Sequence, residues 1–375
     1  MAGIYIHIPF CKKACHYCNF HFSTSLQNAP ELLKAIEKEI EIRSGEMNEE
    51  IKTIYFGGGT PSLIENNAIA NILAQIKKYF TINTNAEITL EANPDDISIE
   101  KAKSWKDLGI NRFSLGIQSF EDNNLHWMNR AHSASQSFDA IKIIRETGFE
   151  NFSIDLIYGI PGQTTEGWTK DLQIAIDLKI PHLSCYALTV EEKTALHYLI
   201  EKGEKENVNP EEQAERFELL MKLTSDAGYC HYEISNFALP GYESKHNSSY
   251  WEGVPYLGIG PSAHSYDGIK RKWNIANNIS YTKAILDNSP LFEEEILSKN
   301  DRFNEYCMTA LRRSKGIEKQ KIISLGGTEG FSIINKMIFP YIESNKVIED
   351  ENSWKLTNEG KFFADGIAAS LFIVD

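Results

Sequence analysis

Short β-rich runs alternate with amphipathic stretches through the first half of the chain. The runs favour strands at residues 4–9, 52–56, 86–92, 112–118, 152–159 and 182–190. The stretches between them carry apolar residues at helical spacing, at residues 31–43, 66–80, 98–109, 133–148 and 164–179. Six strands alternating with helices predict a parallel sheet. Six such units can curl into an open, partial barrel, whose functional site lies at the carboxyl ends of the strands.

The pattern changes in the second half of the chain. Residues 201–213 are polar and predict a surface loop that leads into a helix, and residues 229–238 predict one more strand. From about residue 290 onward the segments are helix-rich. We therefore predict an α/β fold with a partial (β/α)6 barrel and a small, mainly helical, winged-helix-like C-terminal domain. The predicted parts are a barrel at 1–225, an accessory segment at 226–290 and the C-terminal domain at 291–375.

Composition narrows the class of protein. The chain has 375 residues, of which 42% are hydrophobic and 24% are charged, and this balance is typical of a globular protein. A net charge of -14 argues against nucleic acid as a partner, because nucleic-acid binders carry a basic face. The chain contains neither 18 consecutive apolar residues nor a recognisable signal peptide. We expect a cytoplasmic protein without a transmembrane segment, which leaves peripheral contact with a membrane open.

Three of the six cysteines lie close together directly after the first predicted strand. Cys11, Cys15 and Cys18 have a C-x3-C-x2-C spacing. In a reducing compartment such a cluster indicates a metal or catalytic site rather than disulfides. Three thiolates can hold a [4Fe–4S] cluster that leaves one iron open, whereas His16 or His21 could complete a four-ligand zinc site. A third interpretation is that these are thiols without a ligand.

Glycines and polar residues follow the ends of the next predicted strands. "FGGGTPS" ends the second strand, and its glycines allow the backbone to approach a ligand closely. "LEANPDD", "LGIQSF" and "IDLIYGIPGQT" bring polar side chains to the third, fourth and fifth strand ends, and "MNRAH" follows the fourth. Because the carboxyl ends of parallel strands share one edge, we expect these residues to meet. They are Gly58, Gly59, Thr60, Glu91, Gln118, Arg130 and Asp155.

The cysteine spacing, with an aromatic residue before the third cysteine, resembles the signature of the radical S-adenosylmethionine (radical SAM) superfamily. The segments "YIHIPFC", "GGGTP", "EANP", "GIQSF", "NRAH" and "DLIYGIPGQT" resemble oxygen-independent coproporphyrinogen oxidases and their relatives along essentially the whole chain. The resemblance implies that Cys11, Cys15 and Cys18 hold a [4Fe–4S] cluster whose open iron binds S-adenosylmethionine. It also implies contacts with S-adenosylmethionine from Tyr5, Tyr17, Gly58, Gly59, Thr60, Glu91, Gln118, Arg130 and Asp155.

Two departures separate the chain from the oxidases within this group. The pattern of the oxidases is C-x3-C-x2-C-x-C, whereas in this chain Phe20 stands at the position of the fourth cysteine. Only ten residues precede Cys11, so the N-terminal extension of the oxidases is not expected. In both features the chain resembles the related heme-chaperone group called HemW. The resemblance implies a protein that binds heme and passes it to an unidentified acceptor protein, with coproporphyrinogen III oxidation as the alternative function.

The segment "HNSSYW", residues 246–251, is similar to a heme-associated motif of the same group. His246 offers an imidazole to heme iron, and Tyr250 and Trp251 offer flat aromatic area to a macrocycle. The alternative interpretation is a histidine in a turn beside a buried aromatic pair. His264 is a second candidate for a heme or pocket contact. The three remaining cysteines are isolated in apolar surroundings and are predicted to be small core residues: Cys185, Cys230 and Cys307.

Overall fold

The structure, a computed structural model, describes residues 2–373 and is built around a twelve-stranded sheet. Its strands are β1 (Ala2–Ile8), β2 (Ile51–Gly58), β3 (Ile82–Ala92), β4 (Arg112–Gln118), β5 (Phe152–Tyr158), β6 (His182–Ala187), β7 (Cys230–Glu233), β8 (Asn236–Ala238), β9 (Tyr256–Ile259), β10 (His264–Tyr266), β11 (Lys270–Asn274) and β12 (Phe292–Ile296). The helices between them are α1 (Ala29–Ile42), α2 (Asn66–Tyr79), α3 (Ile99–Leu108), α4 (Asp122–Trp127), α5 (Ala134–Glu146), α6 (Thr165–Asp177), α7 (Ala195–Glu201), α8 (Pro210–Asp226), α9 (Lys245–Trp251) and α10 (Asn278–Leu286).

The sheet order is β12-β11-β10-β9-β1-β2-β3-β4-β5-β6-β8-β7. The strands from β9 to β6 are mutually parallel and form the open barrel. Antiparallel strands extend it on both sides, with β10 beside β9 and β8 beside β6. The six predicted strands and the partial barrel are confirmed. The seventh parallel strand, β9, is only four residues long, too short for its periodicity to be recognised.

Alternation along the parallel strands decides which side chains face the site. In β1, Ile4, Ile6 and Ile8 are fully buried on one face. Successive strand residues point to opposite faces, so Tyr5 faces the other way, toward the barrel interior. Tyr5 pairs with Tyr55 of β2 in the parallel ladder, and their rings are stacked with centroids 6.1 Å apart. The apolar face of the strands therefore packs on the helices, and the opposite face carries polar and aromatic residues.

Helix boundaries follow the capping residues that the sequence provides. Ser98 accepts a hydrogen bond from the backbone N–H of Lys101 at the start of α3, and Gly109 ends that helix with a φ of 97°. Ser133 and Gln136 form a capping box at the start of α5. These local signals fix where α3 begins and ends and where α5 begins, and thus help to place the strands that follow these helices.

The C-terminal part has its own apolar cluster, which includes Phe303, Cys307 and Trp354. Three helices surround a three-stranded antiparallel sheet of order β13-β15-β14. This arrangement agrees with the predicted small, mainly helical domain. The elements are α11 (Lys299–Leu311), β13 (Ile317–Glu318), α12 (Lys319–Glu343), β14 (Val347–Glu349), β15 (Ser353–Leu356) and α13 (Ala364–Ser370).

Several local predictions differ from the structure. The single strand predicted at residues 229–238 is a hairpin, because a turn at residues 234–235 separates β7 from β8. Cys230 is exposed, so its prediction as a core residue is wrong, whereas Cys185 and Cys307 are buried as predicted. The exposed position of Cys230 follows from its place on β7, the last strand of the sheet. Within residues 2–373, no helix combines the length and apolar character needed to cross a membrane.

Candidate functional site

A cavity of about 440 Å³ lies at the carboxyl ends of the parallel strands. It is bounded by the cysteine loop after β1, the glycine loop at the end of β2 and the ends of β3 to β6. Of the predicted site residues, eleven line this one cavity: Cys11, Cys15, Tyr17, Cys18, Gly58, Gly59, Thr60, Glu91, Gln118, Arg130 and Asp155. Two predicted residues, Tyr5 and His246, are not among its lining residues.

The cysteine loop is held by backbone and side-chain contacts. The N–H of Cys11 donates to the carbonyl oxygen of Ser23 at 3.0 Å. Thr60 donates its hydroxyl to the sulfur of Cys11 at 3.6 Å, and Arg130 donates to the sulfur of Cys15 at 3.3 Å. Burial raises the pKa of the Cys11 thiol to about 11. The Arg130 guanidinium and the Thr60 hydroxyl stabilise negative charge on these sulfurs. Such surroundings suit cysteine thiolates that ligate a cluster.

The two histidines of the zinc alternative point away from this cavity. Nδ1 of His16 lies 3.1 Å from the carbonyl oxygen of Trp127, and Nε2 of His21 lies 2.8 Å from Oδ1 of Asn278. Neither lines the cavity. The three thiols instead share one cavity with its polar strand-end residues, and this donor set fits an iron–sulfur cluster.

The glycine loop lets β2 end in contact with the cysteine loop. A Cβ at Gly59 would lie 2.7 Å from the carbonyl oxygen of Phe10 and 3.0 Å from the sulfur of Cys11. Gly58 has a φ of 110°, a conformation that residues with a side chain rarely adopt. Glycine is therefore required at both positions for the two loops to meet. The backbone of this loop borders the cavity directly.

Arg130 connects three parts of the site. Its Nη2 donates to Oδ1 of Asn93 at 2.6 Å and to the carbonyl oxygen of Gly116 at 2.8 Å, while Nη1 reaches Cys15 and lies 3.4 Å from the hydroxyl of Tyr17. Its Nε is buried and has no hydrogen-bond partner among the described residues. The guanidinium thus joins the cysteine loop to the ends of β3 and β4.

Gln118 has a strained backbone at the last position of β4. Its φ is 67°, and the register between β4 and β5 shifts between Leu115 and Gln118. A non-glycine residue with positive φ costs free energy and is often found at functional sites. The distortion brings the side chain of Gln118 to the cavity wall.

Two half-buried carboxyl groups face the cavity. Burial raises the pKa of Glu91 to about 7, although a hydrogen bond from the Tyr55 hydroxyl, 2.8 Å from Oε1, acts in the opposite direction. Burial likewise raises the pKa of Asp155 to about 6, against a hydrogen bond from Ser114 at 3.3 Å. Carboxyl groups of this kind can accept hydrogen bonds from hydroxyl groups of a ligand. The sequence analysis missed Tyr55, Asn93 and Ser114, since a single tyrosine, asparagine or serine carries no distinguishing spacing.

His246 lies inside the protein, behind the cavity. It is 1% exposed, and both ring nitrogens have partners: Nδ1 lies 2.8 Å from Thr53 Oγ1, and Nε2 lies 2.8 Å from the Tyr250 hydroxyl. Burial, with a smaller effect from Arg112, lowers its pKa to about 3. Tyr5 packs nearby, with its hydroxyl 3.3 Å from Nδ1 of His7. The "HNSSYW" segment forms α9 rather than a turn.

Phe20 lines the mouth of the cavity and is 67% exposed. Phe20 occupies the position of the fourth cysteine in the C-x3-C-x2-C-x-C pattern of the oxidases. His264 is exposed and stacks on Trp273 with centroids 5.8 Å apart, and it does not line the cavity. The cavity mouth therefore presents an unpaired aromatic surface in place of a thiol.

Known proteins resemble this chain in sequence and in fold. Residues 5–174 match the Radical SAM superfamily. The chain is 34% identical to the heme chaperone HemW of Bacillus subtilis, over 98% of each chain. It is also 34% identical to the heme chaperone HemW of Haemophilus influenzae, over 100% of this chain and 98% of the relative. Escherichia coli coproporphyrinogen III oxidase (HemN), a radical SAM enzyme, has a similar fold, with a TM-score of 0.86 and 23% identity over 99% of this chain and 90% of that one.

The relatives match this chain along almost their whole length and at an identity that shows common family membership. The three cysteines, the glycine loop and Arg130 lie together in the segment that matches the superfamily. The chain therefore belongs to the HemW family of radical SAM proteins.

Proposed function

We propose that this protein is a heme chaperone, which binds heme and transfers it to an acceptor protein. It would carry a [4Fe–4S] cluster and S-adenosylmethionine in the 440 Å³ cavity. Support comes from the curated relatives, which are named heme chaperones. The observation that carries the proposal is the cavity itself, in which three thiols face the interior while Phe20 occupies the mouth.

Cys11, Cys15 and Cys18 are the residues that would hold the cluster. When bound, the cluster supplies one-electron chemistry and an open coordination site for the amino acid end of S-adenosylmethionine. Thr60 and Arg130 donate hydrogen bonds to two of the sulfurs and orient the loop. The wall opposite the loop carries polar groups that would contact S-adenosylmethionine: Glu91, Gln118 and Asp155.

The heme ligand predicted from the sequence is His246. In the structure neither of its ring nitrogens reaches the surface. Nδ1 is hydrogen-bonded with Thr53, and Nε2 is hydrogen-bonded with Tyr250. Ligation of heme iron by Nε2 of His246 requires the hydrogen bond with Tyr250 to break and the buried imidazole to become accessible, whereas the contact of Nδ1 with Thr53 can remain. Binding of heme to the protein and ligation by His246 are therefore separate questions.

The second candidate function is oxygen-independent oxidation of coproporphyrinogen III, a radical decarboxylation of two propionates. The complete set of polar residues at the strand ends favours it, since a protein that only carries heme has no evident need for that set. An anaerobic assay of the cluster-loaded protein with coproporphyrinogen III separates the two. Robust formation of protoporphyrinogen contradicts the chaperone function, and its absence supports that function.

The direct test of the proposed function is an anaerobic heme titration followed by absorbance. We expect saturable binding near one heme per chain for the wild-type protein. A second titration with His246→Ala shows whether that imidazole is a ligand. If the wild-type protein shows no saturable binding, the chaperone proposal fails, whatever the variant does.

A further inference from the structure

A second concave surface lies where the β7–β8 hairpin meets the C-terminal domain. It encloses about 530 Å³ and is far from the cysteine loop in the chain. We call it the Lys–Phe groove, defined by six of its lining residues: Arg312, Tyr341, Lys346, Lys361, Phe362 and Phe363. None of these residues belongs to the 440 Å³ cavity.

The groove carries ammonium groups without carboxylate partners. Within residues 2–373, neither Lys346 nor Lys361 forms an ion pair. Nζ of Lys361 lies 2.9 Å from Nδ1 of His231 and 3.0 Å from Oδ1 of Asn358, which are both neutral partners. The nearby carboxylate of Asp365 is already paired with Arg312 at 2.8 Å. Two positive charges in this groove are therefore available to an anionic ligand.

Aromatic surface lies directly beside these charges. Phe362 is 38% exposed and Phe363 is 50% exposed, and both line the groove. The Nζ atom of Lys346 lies over the ring of Phe363, 4.8 Å from its centroid. Large exposed aromatic side chains in a concave surface are typical of ligand sites. A flat apolar body with acidic groups at its edge complements this combination.

Tyr341 adds a potential metal ligand to the groove. Of the lining residues, it alone belongs to the side-chain types that commonly ligate heme iron. Among the described residues, its hydroxyl has no hydrogen-bond partner, whereas its backbone carbonyl oxygen accepts hydrogen bonds from Ser344 and Lys346. The phenol oxygen is thus free to bind a ligand.

The groove is connected to the "HNSSYW" segment. The guanidinium of Arg312, which lines the groove, lies 5.4 Å from the centroid of the Trp251 ring. Trp251 is the last residue of α9. The segment that resembles a heme-associated motif therefore contacts a groove residue through Trp251, while its histidine is buried elsewhere.

We propose that the Lys–Phe groove is the site at which heme docks, an inference that rests on the proposed function. The macrocycle lies against Phe362 and Phe363, the two propionates pair with Lys346 and Lys361, and the Tyr341 oxygen is the protein ligand nearest to iron. Heme meets these requirements because it combines a planar apolar body, two carboxylates on one edge and a metal ion.

The test is an anaerobic titration of the full-length protein with ferric heme, comparing the wild type with Lys346→Ala/Lys361→Ala and with Tyr341→Phe. We expect the double variant to bind heme at least tenfold more weakly. Tyr341→Phe should change the visible spectrum of the bound ferric heme. The matched control is Lys321→Ala/Lys336→Ala, which removes two exposed lysines of α12 outside the groove and should bind like the wild type.

A second probe keeps the proposal testable if the double variant folds poorly. The dimethyl ester of heme lacks the propionate charges, so it should bind the wild-type protein at least tenfold more weakly than heme. If heme and its ester bind equally, or if the folded double variant binds like the wild type, the groove assignment is overturned while the chaperone proposal stands. If the wild type fails to bind heme at all, it is the proposed function that fails.

Discussion

The imidazole of His246 stacks on the ring of Tyr55, with centroids 5.0 Å apart and an interplanar angle of 23°. The hydroxyl of Tyr55 in turn donates to Glu91, which faces the cavity. Helix α9 therefore supports a cavity residue through two side-chain contacts. This relationship gives the histidine a role that needs no contact with heme.

We expect His246→Ala to weaken binding of S-adenosylmethionine by about tenfold, or about 1.4 kcal/mol, because Tyr55 loses the ring that holds it. The free energy of unfolding should fall by about 2–4 kcal/mol, since the change leaves a cavity and two unpaired polar groups. Calorimetric titration of the cluster-loaded protein and urea unfolding measure the two effects.

A companion variant separates positioning from general destabilisation. Tyr55→Phe keeps the ring stack but removes the hydrogen bond to Glu91, so it should weaken S-adenosylmethionine binding with a smaller loss of stability. His264→Ala, which alters an exposed imidazole outside the cavity, is the control. Unchanged S-adenosylmethionine affinity in His246→Ala, with lost heme binding, argues for direct ligation instead.

Glu91 should make the stability of the apoprotein depend on pH. Its folded-state pKa is raised to about 7 from an ordinary value near 4.5, so the folded protein holds a proton there that the unfolded chain releases. Stability from this group is present below about pH 4.5 and is lost as the pH rises through 7. We expect Glu91→Gln to remove roughly 2–3 kcal/mol of this dependence. The urea midpoints of the wild type and of Glu91→Gln, measured between pH 5 and 8, should converge at low pH. Midpoints that stay equally far apart at every pH contradict the raised pKa of Glu91.

Metal analysis distinguishes the interpretations of the cysteine loop. After anaerobic reconstitution, we expect about four iron atoms and four sulfides per chain, as a [4Fe–4S] cluster requires. Cys15→Ala should lose most of both, because Cys15 faces the cavity, whereas Cys185→Ala removes a buried thiol outside it and should retain them. Zinc without iron or sulfide would falsify the cluster assignment.

Gly59→Ala tests the contact between the glycine and cysteine loops. The added Cβ would lie 2.7 Å from the Phe10 oxygen, so one of the two loops must shift. We expect a loss of about 1–3 kcal/mol in unfolding free energy and a lower iron content after reconstitution. Gly45→Ala is the matched control, because a Cβ there meets no atom within 4 Å. Equal iron content in the two variants indicates that the loop tolerates the displacement.

The strands and helices of the barrel were predictable because their patterns are local. Six strands alternate with amphipathic helices, and caps such as Ser98 and Gly109 mark the ends in the sequence itself. The approach of the strand ends to one cavity follows from parallel topology. The sequence therefore predicted eleven of the residues that line it.

The remaining features depend on contacts between distant segments. The burial of His246 results from packing of α9 on β2, which residue type does not reveal, since a histidine suits both a metal site and a core. Likewise, the surface of the Lys–Phe groove combines Ile234 of the β7–β8 hairpin with residues from separate elements between Arg312 and Ile367, and only the fold brings them together. Tyr55 was missed because its partner Glu91 lies on another strand.

The position of β1 also has a consequence for biosynthesis. This first strand is central in the sheet, between β2 and β9, and its residue Gly3 pairs with Tyr256. During translation, at roughly 5–20 residues per second, one neighbour of β1 becomes available early and the other only after two thirds of the chain has been made. The cysteine loop that follows β1 thus remains on an unfinished sheet edge for most of synthesis. The proposed cluster can therefore enter a completed site only after the ribosome has passed β9.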